Sequence, residues 1–247
     1  MMPTIQLGPM AIQVPGLIIL VGIWLGLTLA ERNAARFGVN AGDLSNLALI
    51  AILSGLIGAR LVYVLRYFSA FKGNLISVFS INPELLDPAG GVCAGLLAAF
   101  IFGQRKKMPF WSTLDALTPA LAVFMLALGL SHVASGAAFG ALTNLPWSVS
   151  LWGAHRHPSQ AYESLAAVLI LAILWPGRSR IFSTHPGIYF LSFVVLSAGA
   201  RLFLEAFRGD SPLILSGLRS AQVAAWVILA LSLMGIYWIR KSVQSAL

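Results

Sequence analysis

The sequence predicts an all-α integral membrane protein, a bundle of about seven transmembrane helices with its N-terminus outside and its C-terminus in the cytoplasm. Three observations support this fold class: few charged residues, seven long apolar segments, and an uneven distribution of Lys and Arg between the connections. Charged residues make up 10% of the 247 residues and hydrophobic residues 58%, whereas a soluble domain carries about 25% charged residues. So few charges cannot cover a water-facing surface, and we therefore predict a single polytopic membrane domain over residues 1–247.

Seven apolar segments set the predicted number of helices. A membrane-spanning helix needs about 20 residues, or roughly 17 at the short limit. The candidate segments are residues 14–30, 44–68, 89–103, 114–130, 160–175, 187–207 and 221–239. The third and the fifth are shorter than this limit unless flanking polar residues complete their ends.

The basic residues predict the orientation of these helices. If the segments alternate in direction, one side holds Arg32, Arg36, Arg105, Lys106, Lys107, Arg178, Arg180, Arg240 and Lys241, and the other side holds fewer basic residues. Positive residues favour the cytoplasmic side. The net charge of +8 is therefore mainly a signal of topology, and we expect no nucleic-acid partner.

With this orientation, residues 131–159 form one long segment on the outer side. A connection of this length in a compact bundle is usually functional or mobile. It ends in a polar stretch, "HRHPSQAYES" at residues 155–164. Pro158 and Ser159 are typical of a helix start, which would place Glu163 in the first turn of the fifth helix.

Two arginines inside apolar segments predict a polar cavity at the outer side. Arg60 and Arg201 are costly in hydrocarbon and by default mark functional sites. At helical spacing, Arg201 shares a face with Glu205 and Arg208, and Glu163 begins its helix at a similar depth. This set holds more arginine than acid, which favours an anion at the level of the headgroups. A structural alternative stays open, in which Arg201 and Glu205 only neutralise each other and Arg60 extends to the interface.

Several motifs, in order along the chain, resemble those of a known family. "RHPSQAYE" at residues 156–163 looks like the RHPSQLYE segment of the bacterial prolipoprotein diacylglyceryl transferases. "GARLVYVLRYF" at residues 58–68 is similar to the GGRxxYVLFYN helix, and "GARLFLEAFRGD" at residues 199–210 resembles the FRxxxEFFRxPD stretch. The resemblance covers nearly the whole chain.

This resemblance implies a reaction, its substrates and a location. Family members transfer the diacylglyceryl group of phosphatidylglycerol to the thiol of a lipobox cysteine in a prolipoprotein, and glycerol phosphate leaves. The implied partners are this phospholipid, the signal segment of the prolipoprotein and the membrane, and the implied location is the bacterial inner membrane. We expect no cofactor and no metal.

The resemblance also implies roles for individual residues. Arg201 would contact the lipid phosphate as a catalytic residue, while Glu205 and Arg208 would order that helix end. Arg60 and Glu163 would support the substrate-binding pocket. The mouth of the pocket would be shaped by Arg156, His157, Ser159, Gln160 and Tyr162.

The chain departs from the family where the signature GRxxNFINGE should fall, at residues 129–140. The residues that replace signature positions, including the histidine of the family's FHGG segment, are Gly129, His132, Ser135, Ala137 and Cys93. His132 is therefore a second candidate catalytic residue, as a replacement for a lost base. These departures keep an alternative function open, namely a non-catalytic paralogue that binds anionic phospholipid or lipoprotein signal segments.

Overall fold

A computed structural model describes residues 4–7, 10–79, 85–176, 185–214 and 217–244. Within these ranges the α-helices are α1 Val14–Ala34, α2 Ala41–Arg66, α3 Phe68–Phe71, α4 Pro88–Arg105, α5 Phe110–Ser135, α6 Ser159–Ile173, α7 Ile188–Leu204 and α8 Ser220–Gln244. Short antiparallel hairpins join β1 Thr4–Leu7 to β2 Met10–Gln13, β3 Val149–Leu151 to β4 Ala154–Arg156, and β5 Leu213–Ile214 to β6 Leu218–Arg219. The fold is thus helical with three small hairpins in the connections.

Each predicted apolar segment corresponds to one of these helices. Helices α1, α2, α5, α7 and α8 are long and apolar enough to cross a membrane. The two segments predicted to be short are also the marginal helices, since α4 has 18 residues and α6 only 15. The all-α membrane fold class is therefore confirmed, while the number of spans and the orientation of the termini stay predictions.

Large apolar side chains cover the outward faces of these helices. Trp226, Leu231 and Trp238 on α8 are all exposed, as are Trp24 on α1 and Leu65 on α2. A soluble protein rarely exposes such continuous apolar surface, whereas lipid tails solvate it without cost. These faces are the expected lipid-contacting surface.

The described chain divides into two compact units. One unit contains Met1–Asn33 and Leu114–Leu247, and the other contains Ala34–Thr113. The prediction of a single domain stays a prediction.

In the unit of residues 34–113, α2 and α4 approach closely through small residues. A side chain at Gly58 would place its Cβ 2.2 Å from the Cβ of Ala94, and one at Gly95 would lie 2.8 Å from the Ala51 carbonyl. Small residues at such contacts let helix backbones come close enough for dispersion contacts to hold them in lipid. Substituting either glycine would therefore force the two helices apart.

Arg60 lies on α2 in this same unit, and its guanidinium is bound by backbone. Its three nitrogens donate hydrogen bonds of 2.5, 2.7 and 2.8 Å to the carbonyls of Ser77, Val78 and Leu85. Backbone carbonyls at membrane depth need such donors, because lipid offers none. These hydrogen bonds offset the free-energy cost of placing an arginine in an apolar helix, and they also fix the segment that follows α3.

In the other unit, Asp115 connects α5 to the start of α7. Its buried carboxylate accepts hydrogen bonds from the backbone N–H groups of Gly187 at 2.6 Å and Phe190 at 2.8 Å. The first N–H groups of a helix have no partner within the helix, and a carboxylate satisfies them and the helix dipole together. Asp115 therefore fixes the position of α7, whose far end carries Arg201.

We expect Asp115→Ala to destabilise the protein by about 1–3 kcal/mol, because it leaves two buried N–H donors without an acceptor. The measurement is the midpoint of thermal unfolding in detergent. Asp43→Ala is the matched control, since Asp43 forms only a surface pair with Lys106 at 3.2 Å that is worth about 0–1 kcal/mol. Equal destabilisation by the two substitutions would contradict this role of Asp115.

Candidate active site

A half-buried carboxylate, that of Glu163, lies at the centre of the site. Its Oε1 accepts hydrogen bonds from Nη1 of Arg201 at 3.1 Å and from Nη1 of Arg208 at 2.8 Å. Its Oε2 lies 3.2 Å from Nδ1 of His132. The predicted helix start is confirmed, since α6 begins at Ser159, but Glu163 falls in the second turn and not in the first.

Arg201 lies in the last turn of α7 and contacts two carboxylates. Its Nη1 donates to Glu163, and its Nε lies 2.9 Å from Oε2 of the fully buried Glu205, an ion pair without the angle of a hydrogen bond. The other oxygen of Glu205 accepts from the hydroxyl of Ser211. The Arg201 side chain nevertheless stays 40% exposed, and its Nη2 has no partner among the described residues.

Arg208 is more fully occupied than Arg201. Besides Glu163, it contacts Asp210 in a bidentate pair, with Nε 2.9 Å from Oδ1 and Nη2 2.8 Å from Oδ2. Burial lowers the pKa of Arg208, but the Glu163 and Asp210 carboxylates raise it by more, so that its net pKa is raised. Arg208 therefore stays positively charged, and the carboxylates of Glu163 and Asp210 balance this charge.

The predicted helical face of Arg201, Glu205 and Arg208 is only partly present. Helix α7 ends at Leu204, and Glu205–Phe207 form a single 3-10 turn. Arg208 then has an extended backbone (φ −79°, ψ 143°) and reaches Glu163 from outside the helix. Arg219 holds this turn, because it donates hydrogen bonds to the backbone carbonyls of Glu205 and Arg208.

The charged cluster, defined as His132, Glu163, Arg201, Glu205, Arg208 and Asp210, has no excess of arginine. The expectation of more arginine than acid is wrong here, because the expected set included Arg60, whose guanidinium is bound by backbone carbonyls, and because Asp210 joins the cluster as a third carboxylate. Two guanidinium groups thus face three carboxylates, and Nδ1 of His132 lies beside one of these, that of Glu163.

A small cavity of about 100 Å³ opens beside Arg201. It has room for about three water molecules, or for a small anion of similar size. The residues that line it are Met125, Leu128, Gly129, His132, Glu163, Ala200, Arg201 and Leu204. The two predicted catalytic residues, Arg201 and His132, therefore face the same space.

A larger apolar groove of about 600 Å³ lies next to this cavity, and both are lined by Ala200 and Leu204. The other residues that line the groove are Leu145, Trp147, His157, Tyr162, Leu165, Ala166, Leu169, Phe203 and Phe207. Its volume is typical of a small-molecule site. His157, Tyr162 and Trp147 are the residues of this lining that carry polar atoms, and Nε1 of Trp147 donates to the Tyr162 hydroxyl at 2.9 Å.

Three residues that we predicted at the mouth of the pocket hold the outer segment together. The hydroxyl of Ser159 donates to the Ala138 carbonyl at 2.6 Å, and Nε2 of Gln160 donates to the Ala137 carbonyl at 3.0 Å. Nη1 of Arg156 donates to the Gly140 carbonyl at 3.2 Å. Since these donors are committed to backbone, their predicted role in binding substrate stays a prediction.

The backbone at Ala141 lies between two other backbone stretches, at His157 and at Phe207. The N–H of His157 donates to the Ala141 carbonyl, and the N–H of Ala141 donates to the Phe207 carbonyl. Close packing here requires a glycine, because a Cβ at Gly140 would lie 2.1 Å from the His157 carbonyl. This layer fixes the turn that carries Arg208.

A sequence model of the prolipoprotein diacylglyceryl transferases matches residues 3–238 of the chain. The chain belongs to the prolipoprotein diacylglyceryl transferase family. The predicted resemblance and the prediction of a transferase are thereby confirmed, and the protein is a multi-pass membrane transferase of this family.

Three relatives from different organisms support this membership. Each is named phosphatidylglycerol–prolipoprotein diacylglyceryl transferase. The protein of Nostoc sp. is 30% identical over 95% of this chain and 88% of its own length. That of Clostridioides difficile is 31% identical over 86% and 84%, and that of Streptococcus pneumoniae is 32% identical over 96% and 94%.

Several residues that replace positions of the family signature have defined surroundings in the structure. Gly129 packs against α6, and a Cβ at this position would lie 2.7 Å from the Ser164 hydroxyl. A side chain at position 129 would therefore displace the Ser164 hydroxyl and press on the backbone of α6. Ser135 donates to the His132 carbonyl, and Cys93 is an exposed free thiol.

Sequence reasoning missed Asp210, Ser211 and Arg219. Asp210 follows Arg208 by two residues, in "FRGD". That spacing could have indicated the pair. No sequence signal connects Arg219 to the carbonyl of Glu205, because the two are brought together only when the β5–β6 hairpin folds back.

We expect Ser159→Ala to speed amide hydrogen exchange within residues 137–141, because the Ala138 carbonyl loses its donor and the layer opens more easily. Exchange followed by mass spectrometry in detergent measures this effect. His155→Ala is the control, since the His155 ring is exposed on β4 and its side chain lies beside the Ser148 hydroxyl. Unchanged exchange in Ser159→Ala would show that this hydrogen bond does not hold the segment.

Proposed function

We propose that this protein transfers the diacylglyceryl group of phosphatidylglycerol to the thiol of a lipobox cysteine in a prolipoprotein, at the outer face of the bacterial inner membrane. The observation that carries the proposal is the free face of Arg201, which opens into a small cavity beside an apolar groove. The names of the relatives support the choice of donor and acceptor.

Arg201 is the best candidate to hold the lipid phosphate. Arg208 is bound by Glu163 and Asp210 on three of its nitrogen atoms, whereas Arg201 keeps Nη2 without a partner among the described residues. Guanidinium groups bind phosphate oxygens through charge-assisted hydrogen bonds. The carboxylates of Glu163 and Glu205 hold the other two nitrogens, and Arg201 is one of the residues that line the small cavity.

The groove is the proposed place for an acyl chain of the donor lipid. Its lining is apolar, and it adjoins the Arg201 cavity along α7, where Ala200 and Leu204 face both spaces. In a phospholipid the charged headgroup lies a short distance from the apolar chains, just as the Arg201 cavity lies next to the apolar groove.

The proposed reaction displaces phosphate from carbon. The acceptor sulfur forms a bond to the terminal carbon of the diacylglyceryl group, and the bond from that carbon to the phosphate oxygen breaks. Glycerol phosphate leaves with one more negative charge than the lipid phosphodiester carried. A fixed guanidinium beside this oxygen stabilises the developing charge more than the starting state.

The alternative function is lipid or signal-segment binding without turnover. It is favoured by the replaced signature positions and by the balance of charges in the cluster, which leaves only part of one arginine for an anion. Turnover distinguishes the two functions, because a binding protein would retain phosphatidylglycerol without forming a thioether.

We expect Arg201→Ala to lower the rate of thioether formation by about 10²–10³, the typical loss when one donor to a developing anion is removed. The assay uses vesicles of phosphatidylglycerol and a lipobox peptide, and it measures lipidated peptide together with released glycerol phosphate. Arg240→Ala is the control for loss of a cation, since Arg240 is exposed near the end of α8. Lipid binding by the wild-type protein without product would reject the enzyme and favour the binding protein.

We expect Ala166→Trp to raise the KM for phosphatidylglycerol roughly tenfold, equivalent to about 1.4 kcal/mol, because the indole fills the groove. Val168→Trp on the same helix is the matched control, since Val168 is exposed and does not line the groove. The kinetics are measured in mixed micelles with the lipid diluted in neutral detergent. Equal KM values for the two variants would place the acyl chain elsewhere.

A further inference from the structure

His132 has the position and hydrogen bonding of a general base. It lies in the last turn of α5, and its side chain is 25% exposed. Its Nδ1 is 3.2 Å from Oε2 of Glu163, and its ring lines the same small cavity as Arg201. A base and an anion-binding group thus face one space that is large enough for a reacting sulfur.

The Glu163 carboxylate determines which imidazole nitrogen carries the proton. An ionised carboxylate can only accept hydrogen bonds, and both arginines already donate to Oε1 of Glu163. The proton of a neutral His132 therefore lies on Nδ1, which leaves the lone pair on Nε2. Nε2 has no partner among the described residues, so it is free to accept a proton from a ligand in the cavity.

We propose that His132 is the general base that removes the proton of the acceptor cysteine thiol, and that Glu163 is its positioning residue. This inference rests on the proposed function. The thiol proton moves to Nε2 while sulfur bonds to the diacylglyceryl carbon and the phosphate oxygen leaves with the electron pair of the broken bond. The positive charge on His132 then matches the added negative charge on glycerol phosphate, which is the group that can take the proton away.

The other histidines of this unit are placed less suitably. Nδ1 of His157 is buried without a partner, and its ring packs edge-on against Phe207 at 5.2 Å within the apolar groove. His155 is exposed on β4. His185 precedes the start of α7, about 16 residues or roughly 24 Å along the helix from Arg201. His132 alone among them shares a cavity with Arg201.

Charged groups around His132 support this step. Glu163 on α6 stabilises the imidazolium that forms, and Arg201 on α7 lines the same cavity. Arg208 reaches Glu163 without lining the cavity. A fixed cation near the acceptor sulfur also favours the thiolate, which is the reacting form of cysteine.

The decisive variant is His132→Asn, because the asparagine amide can still donate to Glu163 in place of Nδ1 but offers no base at the position of Nε2. We expect its kcat in the vesicle assay to fall by about 10²–10⁴, the usual contribution of a general base. The KM for phosphatidylglycerol should stay within about threefold, because the headgroup and chain contacts remain. His155→Gln is the matched control and should retain wild-type turnover.

The pH profile separates a base from a structural residue. Wild-type kcat/KM should decrease at acidic pH as His132 becomes protonated, and the His132→Asn variant should lack this decrease. Glu163→Gln, a second variant, should move the acidic decrease to lower pH, because an ionised carboxylate no longer stabilises the imidazolium.

Each other outcome overturns the inference. Turnover of His132→Asn within about threefold of wild type, with the same acidic decrease, would show that another group takes the proton while the transferase activity stands. Loss of turnover together with loss of phosphatidylglycerol binding would make His132 a structural residue. Absence of product from the wild-type protein would reject both the proposed function and this base.

Discussion

The site depends on one constraint, which is the need to satisfy a half-buried carboxylate. Glu163 on α6 is the group to which α5, α7 and the turn after α7 all connect, through His132, Arg201 and Arg208. Removing one member of such a set leaves a charge uncompensated at a cost of about 3–5 kcal/mol in buried pairs. The three elements are therefore held in one arrangement, and the open donor of Arg201 has a defined direction.

Several arginines of the chain stabilise the structure, and one is proposed to bind the substrate. The number of arginines in the sequence does not show which of them has which role. Arg60 binds three carbonyls, Arg156 binds the outer segment, and Arg219 holds the turn after α7. Each satisfies backbone groups that lipid cannot satisfy. Of the two arginines in the charged cluster, Arg201 is 40% exposed and Arg208 only 12%, which is why Arg201 carries the proposed recognition of phosphate.

The polar stretch at residues 155–164 has two roles that its composition does not separate. Ser159 and Gln160 are buried and satisfy carbonyls of the outer segment, whereas His157 and Tyr162 line the apolar groove and Glu163 joins the charged cluster. Helical and extended geometry direct alternate residues to different neighbours. One short motif thus fixes the outer segment and also forms part of the site.

Composition and hydrophobic periodicity alone establish a helical membrane protein with seven apolar segments, because both depend on residues close together in the chain. Ordered motifs likewise identify the family and select Arg201 and His132. Tertiary structure decides which side chains contact each other. Asp210 joins the charged cluster, and Asp115 on α5 caps the start of α7. Arg60 is bound by backbone carbonyls. Those contacts join residues on different elements, and local pattern carries no information about which distant partner satisfies a buried charge.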